Sequence, residues 1–297
     1  MSETILSVRE LKTYFSAGKK TARVVDGVSF DIKRGETFAL VGESGCGKSI
    51  TSLSIMQLVP PAGKIVGGKI LLDGQDLLDL PESSMRNVRG NRIAMIFQEP
   101  MTSLNPVLTI GQQIGEVLWR HKKIKGNVAR KRSIELLSAV GIPAPDNRVD
   151  EYPHQLSGGM KQRVMIAMAL AGEPDLLIAD EPTTALDVTI QAQVLQLLGD
   201  LQKQTGMGIM LITHDLGVVA ETADQVAVMY AGHIVEQAGR DEFFANPQHP
   251  YSLKLFDSLP DMQKRDQALE VIKGTMPALT QEFKACRYES RCDFAWE

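Results

Sequence analysis

The chain has only three cysteines in 297 residues, and one of them, Cys46, sits inside a glycine-rich loop, so structural disulfides are not expected. Long apolar runs are missing too: none approaches the ~20 residues that span a bilayer. The start, Met1-Ser2-Glu3-Thr4, lacks a basic segment followed by an apolar stretch, so the chain is expected to stay in the cytosol unless a partner takes it to a membrane. An excess of positive charge is absent as well, and the net charge of −4 argues against a general nucleic-acid binder. There is no internal repeat and no low-complexity tract. What is present, 43% hydrophobic and 23% charged residues, is ordinary for a globular protein, and the length suits one large α/β domain with an appendage or two modest domains.

Two kinds of strand are legible. Val28, Phe30 and Ile32 alternate with polar residues after Val24-Val25 and stop at Lys33-Arg34-Gly35-Glu36, which predicts a half-buried, edge-type antiparallel strand closed by a turn. Phe38 to Val41, Leu176 to Ala179 and Ile209 to Ile212 are short continuous apolar runs, as expected of a parallel sheet covered on both faces. From about residue 105 to 170 the pattern turns helical. Asn127 is placed to cap a helix carrying Ile134, Leu137 and Val140, with Gly141 to end it. A second helix starts at Ser157, where Met160, Val164, Ala167, Met168 and Ala171 predict one buried stripe. After about residue 240, Pro247, Pro250, Pro260 and Pro277 break the chain into short pieces, which reads as a C-terminal appendage and not a continuation of the sheet. The basic clusters His121-Lys122-Lys123 and Arg130-Lys131-Arg132 read as solvated helix faces.

The chemistry lies in motifs that stand in one order. Gly42-Glu43-Ser44-Gly45-Cys46-Gly47-Lys48-Ser49 follows an apolar strand and opens a helix through Ile50. In such a loop, successive backbone N–H groups converge on phosphate oxygens and glycines keep side chains out of the cradle. Lys48 would reach the β- and γ-phosphates, and the Ser49 hydroxyl would join a Mg²⁺ shell. The run ending at Ala179 delivers Asp180 and Glu181 to a strand end, where adjacent residues point to opposite sides. Asp180 therefore suits the metal and Glu181 the attacking water. Ser157, followed by Gly158 and Gly159, is a helix cap whose hydroxyl and neighbouring N–H groups form a second anion site. A cap alone would explain an isolated Ser-Gly-Gly; here Leu156-Ser157-Gly158-Gly159-Met160 runs on into Lys161-Gln162-Arg163, shortly before the acidic pair.

Taken together, these residues resemble the ATP-binding cassette (ABC) family over residues ~1 to 240. The resemblance implies an α/β fold with a P-loop (RecA-like) core, an antiparallel β subdomain, a helical insert at about 105–170 and a C-terminal extension over 241–297. It also implies a head-to-tail dimer in which Ser157, Gly158 and Gly159 close over the ATP held by the partner's phosphate loop. By the same resemblance Gln98 senses Mg²⁺ and the attacking water, Asp187 couples the two ATP sites, and His214 contacts the γ-phosphate. Phe15 matches the aromatic that stacks on adenine, with Tyr14 as the alternative. All the catalytic elements are intact, which implies ATP hydrolysis assisted by Glu181.

Finer strings are similar to the oligopeptide, dipeptide and nickel importer group: Glu99-Pro100-Met101-Thr102-Ser103-Leu104-Asn105-Pro106, Tyr152-Pro153-His154-Gln155, and a tail with His249-Pro250-Tyr251, Gly274-Thr275-Met276-Pro277 and Cys286 to Cys292. That resemblance implies a peripheral ATPase on the cytoplasmic face of the inner or plasma membrane. Its partners would be two integral-membrane permease subunits, a second and non-identical ATPase and, indirectly, an extracytoplasmic solute-binding protein. Some members hold an iron–sulfur cluster in this tail. Cys286 and Cys292 supply two of the four thiolates a cubane cluster takes, so none is expected here. A nickel or other small-solute importer, or a soluble cassette ATPase of translation or DNA repair, are the alternatives; the latter usually carry two cassettes or an inserted coiled coil, and neither is visible.

Overall fold

The computed structural model describes residues 3–18, 20–98, 103–183, 188–257 and 272–296. The first half of the chain runs β1 (Thr4–Ala17), β2 (Lys20–Lys33), β3 (Thr37–Val41), α1 (Lys48–Ile55), β4 (Gly63–Leu72), β5 (Gln75–Asp76), α2 (Glu82–Val88) and β6 (Ile93–Ile96). A helical stretch follows, with α3 (Ile110–Val117), α4 (Gly126–Ala139), α5 (Pro145–Arg148) and α6 (Gly158–Leu170). Alternation then resumes with β7 (Leu176–Asp180), α7 (Val188–Thr205), β8 (Gly208–Thr213), α8 (Leu216–Thr222), β9 (Gln225–Tyr230) and β10 (His233–Gly239), before α9 (Arg240–Ala245) and α10 (Pro250–Asp257). Two compact units result, one of residues 1–5, 32–36 and 79–212, the other of 6–31, 37–78 and 213–297. Among the described residues no helix is long and apolar enough to cross a membrane.

In the first unit β6, β7 and β8 are parallel, with Ile93 opposite Leu176 and Leu176 opposite Gly208. Every residue of β7 and β8 is buried, as their unbroken apolar runs predict. The helical stretch is fixed by local capping. Thr109 Oγ1 accepts from the Gln112 amide (3.3 Å) while Gln112 Oε1 accepts from the Thr109 amide (2.8 Å), a reciprocal box that starts α3.

Helix α4 departs from expectation at its start. Lys125 holds the N-cap position without a side-chain bond, and Asn127 lies inside the first turn, because Gly126 at φ 61° lets the chain turn earlier. Its end is as predicted. Gly141 adopts φ 71°, its amide reaches Ser138 O (2.9 Å), and the Ile142 amide reaches Leu137 O (2.9 Å), the paired closure of a Schellman motif.

Helix α6 is buried more widely than one stripe. Gln162, Val164, Met165, Ile166, Ala167 and Leu170 are buried, whereas Met160 and Met168 are only half so. The reason is that α6 packs on α3, α4 and β6 together, so no single face defines its core.

In the second unit an antiparallel sheet takes the order β2–β1–β4–β5, which places β2 at the edge as its alternation predicts. Val25, Val28, Phe30 and Ile32 are its buried side chains, and Phe30 stacks on Phe38 with centroids 4.7 Å apart. A second layer pairs β3 with β9 in parallel and β9 with β10 antiparallel. Its core gathers Val41, Val219, Val226, Val228, Tyr230, Phe243, Tyr251 and Tyr288. Two of those rings, Tyr251 and Tyr288, come from the proline-rich tail. They meet Tyr230 with centroids 4.7 and 5.1 Å away, so the tail is part of this unit's core. Complete burial of an aromatic ring is worth about 1.5–3 kcal/mol, which ties the tail down firmly.

Candidate functional site

The phosphate loop joins β3 to α1 in the second unit. Strand β3 is buried along its whole length and delivers Gly42 at its end. Gly42 (φ 152°) and Gly47 (φ 114°) cannot be replaced without conflict: a Cβ on Gly42 would lie 2.2 Å from Met229 O, and one on Gly47 2.4 Å from Val24 O. The loop is thus pinned from beneath by β2 and β9, while Ser44 and Gly45 face solvent at its rim. Cys46 is buried among these atoms, and its burial pushes the thiol up, so it stays protonated and apolar in character.

Lys48 begins α1 and folds back over the loop. Its ammonium donates to Gly42 O (2.6 Å) and Glu43 O (3.0 Å). No side chain caps the start of α1, so the helix opens on backbone N–H groups next to a positive charge. Ser49 and Ile50 follow, both half-buried. This arrangement fits an anion of the phosphate class.

Other predicted residues of this unit lie on separate elements. Phe15, near the end of β1, pairs with Gly63 of β4, and its ring sits so close to Gly63 that a Cβ there would be 2.6 Å from Cζ. Tyr14 is committed elsewhere: its hydroxyl donates to Asp26 Oδ1 (2.6 Å). His214 is exposed just after β8 and precedes Asp215, whose carboxylate accepts from Gly217 N (2.9 Å) and Val218 N (3.3 Å) to cap α8.

The first unit carries the carboxylates. Asp180 closes β7 and is 4% exposed. Glu181 lies one residue beyond the strand with φ 47°, a left-handed backbone rare for a side chain of this size. That turn, and not simple strand alternation, separates it from Asp180. The Glu181 amide is held by Ile212 O (2.9 Å), and its carboxylate Oε2 accepts from Gln98 Nε2 (3.0 Å). The structure therefore brings two of the predicted catalytic residues, Gln98 and Glu181, into direct contact.

Ser157 is the N-cap of α6, with Oγ accepting from the Met160 amide at 3.3 Å. Ser157 and Gly158 are exposed, and a Cβ on Gly158 would meet nothing within 4 Å. Gly159 faces Ile190, and Gln162 one turn on donates to Pro182 O (2.5 Å), linking α6 to the segment after Glu181. Asp187 lies outside the described residues.

Sequence reasoning did not find the tail's contacts with the loop. The Glu43 amide donates to Tyr251 OH (2.8 Å), and the Glu43 carboxylate receives a two-bond fork from Arg291 (2.7 and 3.0 Å). Their separations of 208 and 248 residues leave no local pattern to detect.

A glycine cradle with a lysine over it at the end of a buried parallel strand in one unit, and a carboxylate pair at the end of a buried parallel strand in the other, define a P-loop nucleotide-binding protein. Family profiles agree and go further, with ABC transporter matching residues 25–184 and the oligopeptide/dipeptide transporter C-terminal region matching residues 235–297. The chain belongs to the ABC transporter family. It is 54% identical over 291 residues, 98% of this chain and 87% of the relative, to the dipeptide transport ATP-binding protein DppD of Bacillus subtilis (strain 168). It is 53% identical over 293 residues, 98% of this chain and 82% of the relative, to the oligopeptide transport ATP-binding protein OppD of the same organism. Among solved structures it is similar to a dimeric post-hydrolysis state of an ATP-binding cassette bound to ADP and Pi. The TM-score is 0.72 at 28% identity, covering 79% of this chain and 98% of that one.

Proposed function

We propose that the chain is the ATP-hydrolysing subunit that energises a membrane importer of di- or oligopeptides. The observation that carries the catalytic part is the Gln98–Glu181 contact of 3.0 Å, a carboxylate held by an amide on a left-handed turn at the end of a buried strand. The match of residues 235–297 to a peptide-transporter C-terminal region supports the choice of cargo, as do the dipeptide and oligopeptide transport roles for which the relatives are named. The two matches also support a division into a nucleotide-binding domain over 1–240 and an importer-type extension over 241–297.

In this reading the loop amides of Ser44 to Ser49 and the start of α1 cradle the phosphates of ATP, Glu43 holds the turn that presents them, and Ile50 continues that first turn. Lys48 moves its ammonium from the loop carbonyls to the β- and γ-phosphates. Phe15 stacks on the adenine, since Tyr14 is tied to Asp26. Glu181 accepts a proton from water directed at the γ-phosphorus, Gln98 orients that carboxylate, and His214 donates to the γ-phosphate. Magnesium, when bound, neutralises phosphate charge; the Ser49 hydroxyl, the Asp180 carboxylate and the Gln98 amide oxygen are the hard donors that would hold it. The order of these motifs along the chain supports joining the two sets in one reaction.

The exposed Ser157 and Gly158, with the half-buried Gly159, serve ATP held by a second ATPase subunit, and Asp187 couples the two sites. That partner is a non-identical homologue; two permeases carry the pair on the cytoplasmic face of the membrane, with an extracytoplasmic binding protein delivering solute. The test is Glu181→Gln in the assembled complex. Nucleotide binding should persist while phosphate release falls by about 10²–10⁴-fold. Turnover within a few-fold of the unaltered complex would remove Glu181 from this role.

A further inference from the structure

We propose that Arg291 and Tyr251, both in the C-terminal tail, are positioning residues for the phosphate loop, fixing Glu43 and thereby setting the affinity for ATP. This rests on the reading that the loop binds ATP.

Glu43 is the node of the loop. Its carbonyl accepts from Lys48 Nζ (3.0 Å) and from the Cys46 amide (3.3 Å), so its placement governs both the lysine and the turn that follows. Its amide, in turn, donates to Tyr251 OH at 2.8 Å. Tyr251 is fully buried, and burial pushes its phenol up, so the hydroxyl remains neutral. The carboxylate of Glu43 would on its own place a negative charge beside the phosphates and oppose them.

Arg291 cancels that charge with Nη1 to Oε2 at 2.7 Å and Nη2 to Oε1 at 3.0 Å, the parallel fork that guanidinium makes best. The fork is itself rigidly held. Arg291 is 4% exposed, its Nε donates to Lys273 O (2.8 Å), and its guanidinium carbon lies 5.7 Å from the Tyr230 ring centroid and 5.9 Å from that of Tyr288. The Glu43 contact also drives the guanidinium further toward its charged form. Met276, from the same tail, reaches the next glycine of the loop, with Cε 3.4 Å from where a Gly45 Cβ would stand. Three tail side chains thus meet one loop, and together they hold its amide, its carboxylate and its outer rim.

The inference predicts an electrostatic signature that a purely structural contact would not give. Arg291→Met leaves the Glu43 carboxylate uncompensated, so KM for ATP in the assembled complex, and the dissociation constant of a fluorescent ATP analogue on the full chain, should rise about tenfold. The kcat should change by less than about threefold, because nothing on Glu181 is altered. Adding Glu43→Gln to Arg291→Met removes the repulsion and should restore affinity to within about threefold of the unaltered chain. Tyr251→Phe, which deletes the acceptor for the Glu43 amide, should raise KM by about fivefold. Arg291→Lys keeps charge but loses the fork, and serves with Tyr251→Phe if Arg291→Met does not fold. Affinities of all folded variants within twofold of the unaltered chain would overturn the inference. So would a double variant as weak as Arg291→Met alone. If the unaltered chain itself failed to bind the analogue, the ATP reading would fall, a result distinct from either of these.

Discussion

Gly158 offers a test in which stability and activity should move in opposite directions. It is the first residue of α6, has no positive φ, and a Cβ added there meets nothing within 4 Å. Among the described residues, therefore, no steric or conformational reason requires glycine. Replacing glycine by alanine in a helix is worth about 0.5–1 kcal/mol through the lower entropy of the unfolded chain. For a protein of this size that corresponds to roughly 1–4 °C in Tm. If the exposed start of α6 closes on nucleotide held by another subunit, the same methyl enters a tight interface. Overpacking of that kind costs about 1–3 kcal/mol, or roughly 5- to 150-fold in turnover. The assay pairs thermal denaturation of the isolated Gly158→Ala chain with steady-state phosphate release from the assembled complex. Raised or unchanged Tm with turnover lowered at least fivefold is the expected result. Turnover within twofold of the unaltered complex would refute the reasoning, because the glycine would then serve neither the fold nor the closure.

Gly47→Ala is expected to destabilise by about 3 kcal/mol, combining a left-handed backbone with a clash against Val24 O at 2.4 Å, measured by chemical denaturation beside Gly45→Ala as the milder control. Thiol labelling should modify exposed Cys286 quickly and leave Cys46 untouched at neutral pH, since Cys46 is buried and its thiol is pushed up; equal rates would contradict that burial. A third expectation concerns pH. Burial by itself would raise the Asp26 carboxyl, but hydrogen bonds from Tyr14 and Arg287 outweigh it and hold the group below the ordinary carboxylate range. Its folded pKa is therefore the lower one, and its stabilising contribution is complete above the unfolded value of about 3.9 and fades as pH falls through the folded value. Asp26→Asn should accordingly cost more stability at pH 6 than at pH 3, and an equal cost at both would count against the linkage.

Much of the scaffold could be read from local pattern because burial on both faces leaves a plain mark. The runs that became β3, β7 and β8 are apolar at every step, and each ends where a functional segment begins. Ser157 was legible as a cap and Gly141 as a stop for the same reason: backbone groups at helix ends need partners within a few residues. The start of α4 was misread because Gly126 let the chain turn before the better capping residue. The single stripe expected on α6 failed because three elements crowd that helix, and periodicity records only one packing direction. In the site, residue types at a strand end pointed to Glu181 and the family resemblance to Gln98, but neither pointed to the left-handed turn that brings their side chains to 3.0 Å. Least legible of all were Tyr251 and Arg291. Contacts over two hundred residues leave no trace in any window, and buried tyrosines in a tail read as packing.

The fork between Arg291 and Glu43 also constrains how this sequence can change over generations. A tail exchanged with that of a relative brings its own basic residue, or none, to a loop position that here is acidic. Neither position can drift alone without exposing the charge of the other, so the two should be inherited as a matched pair even though they stand at opposite ends of the chain.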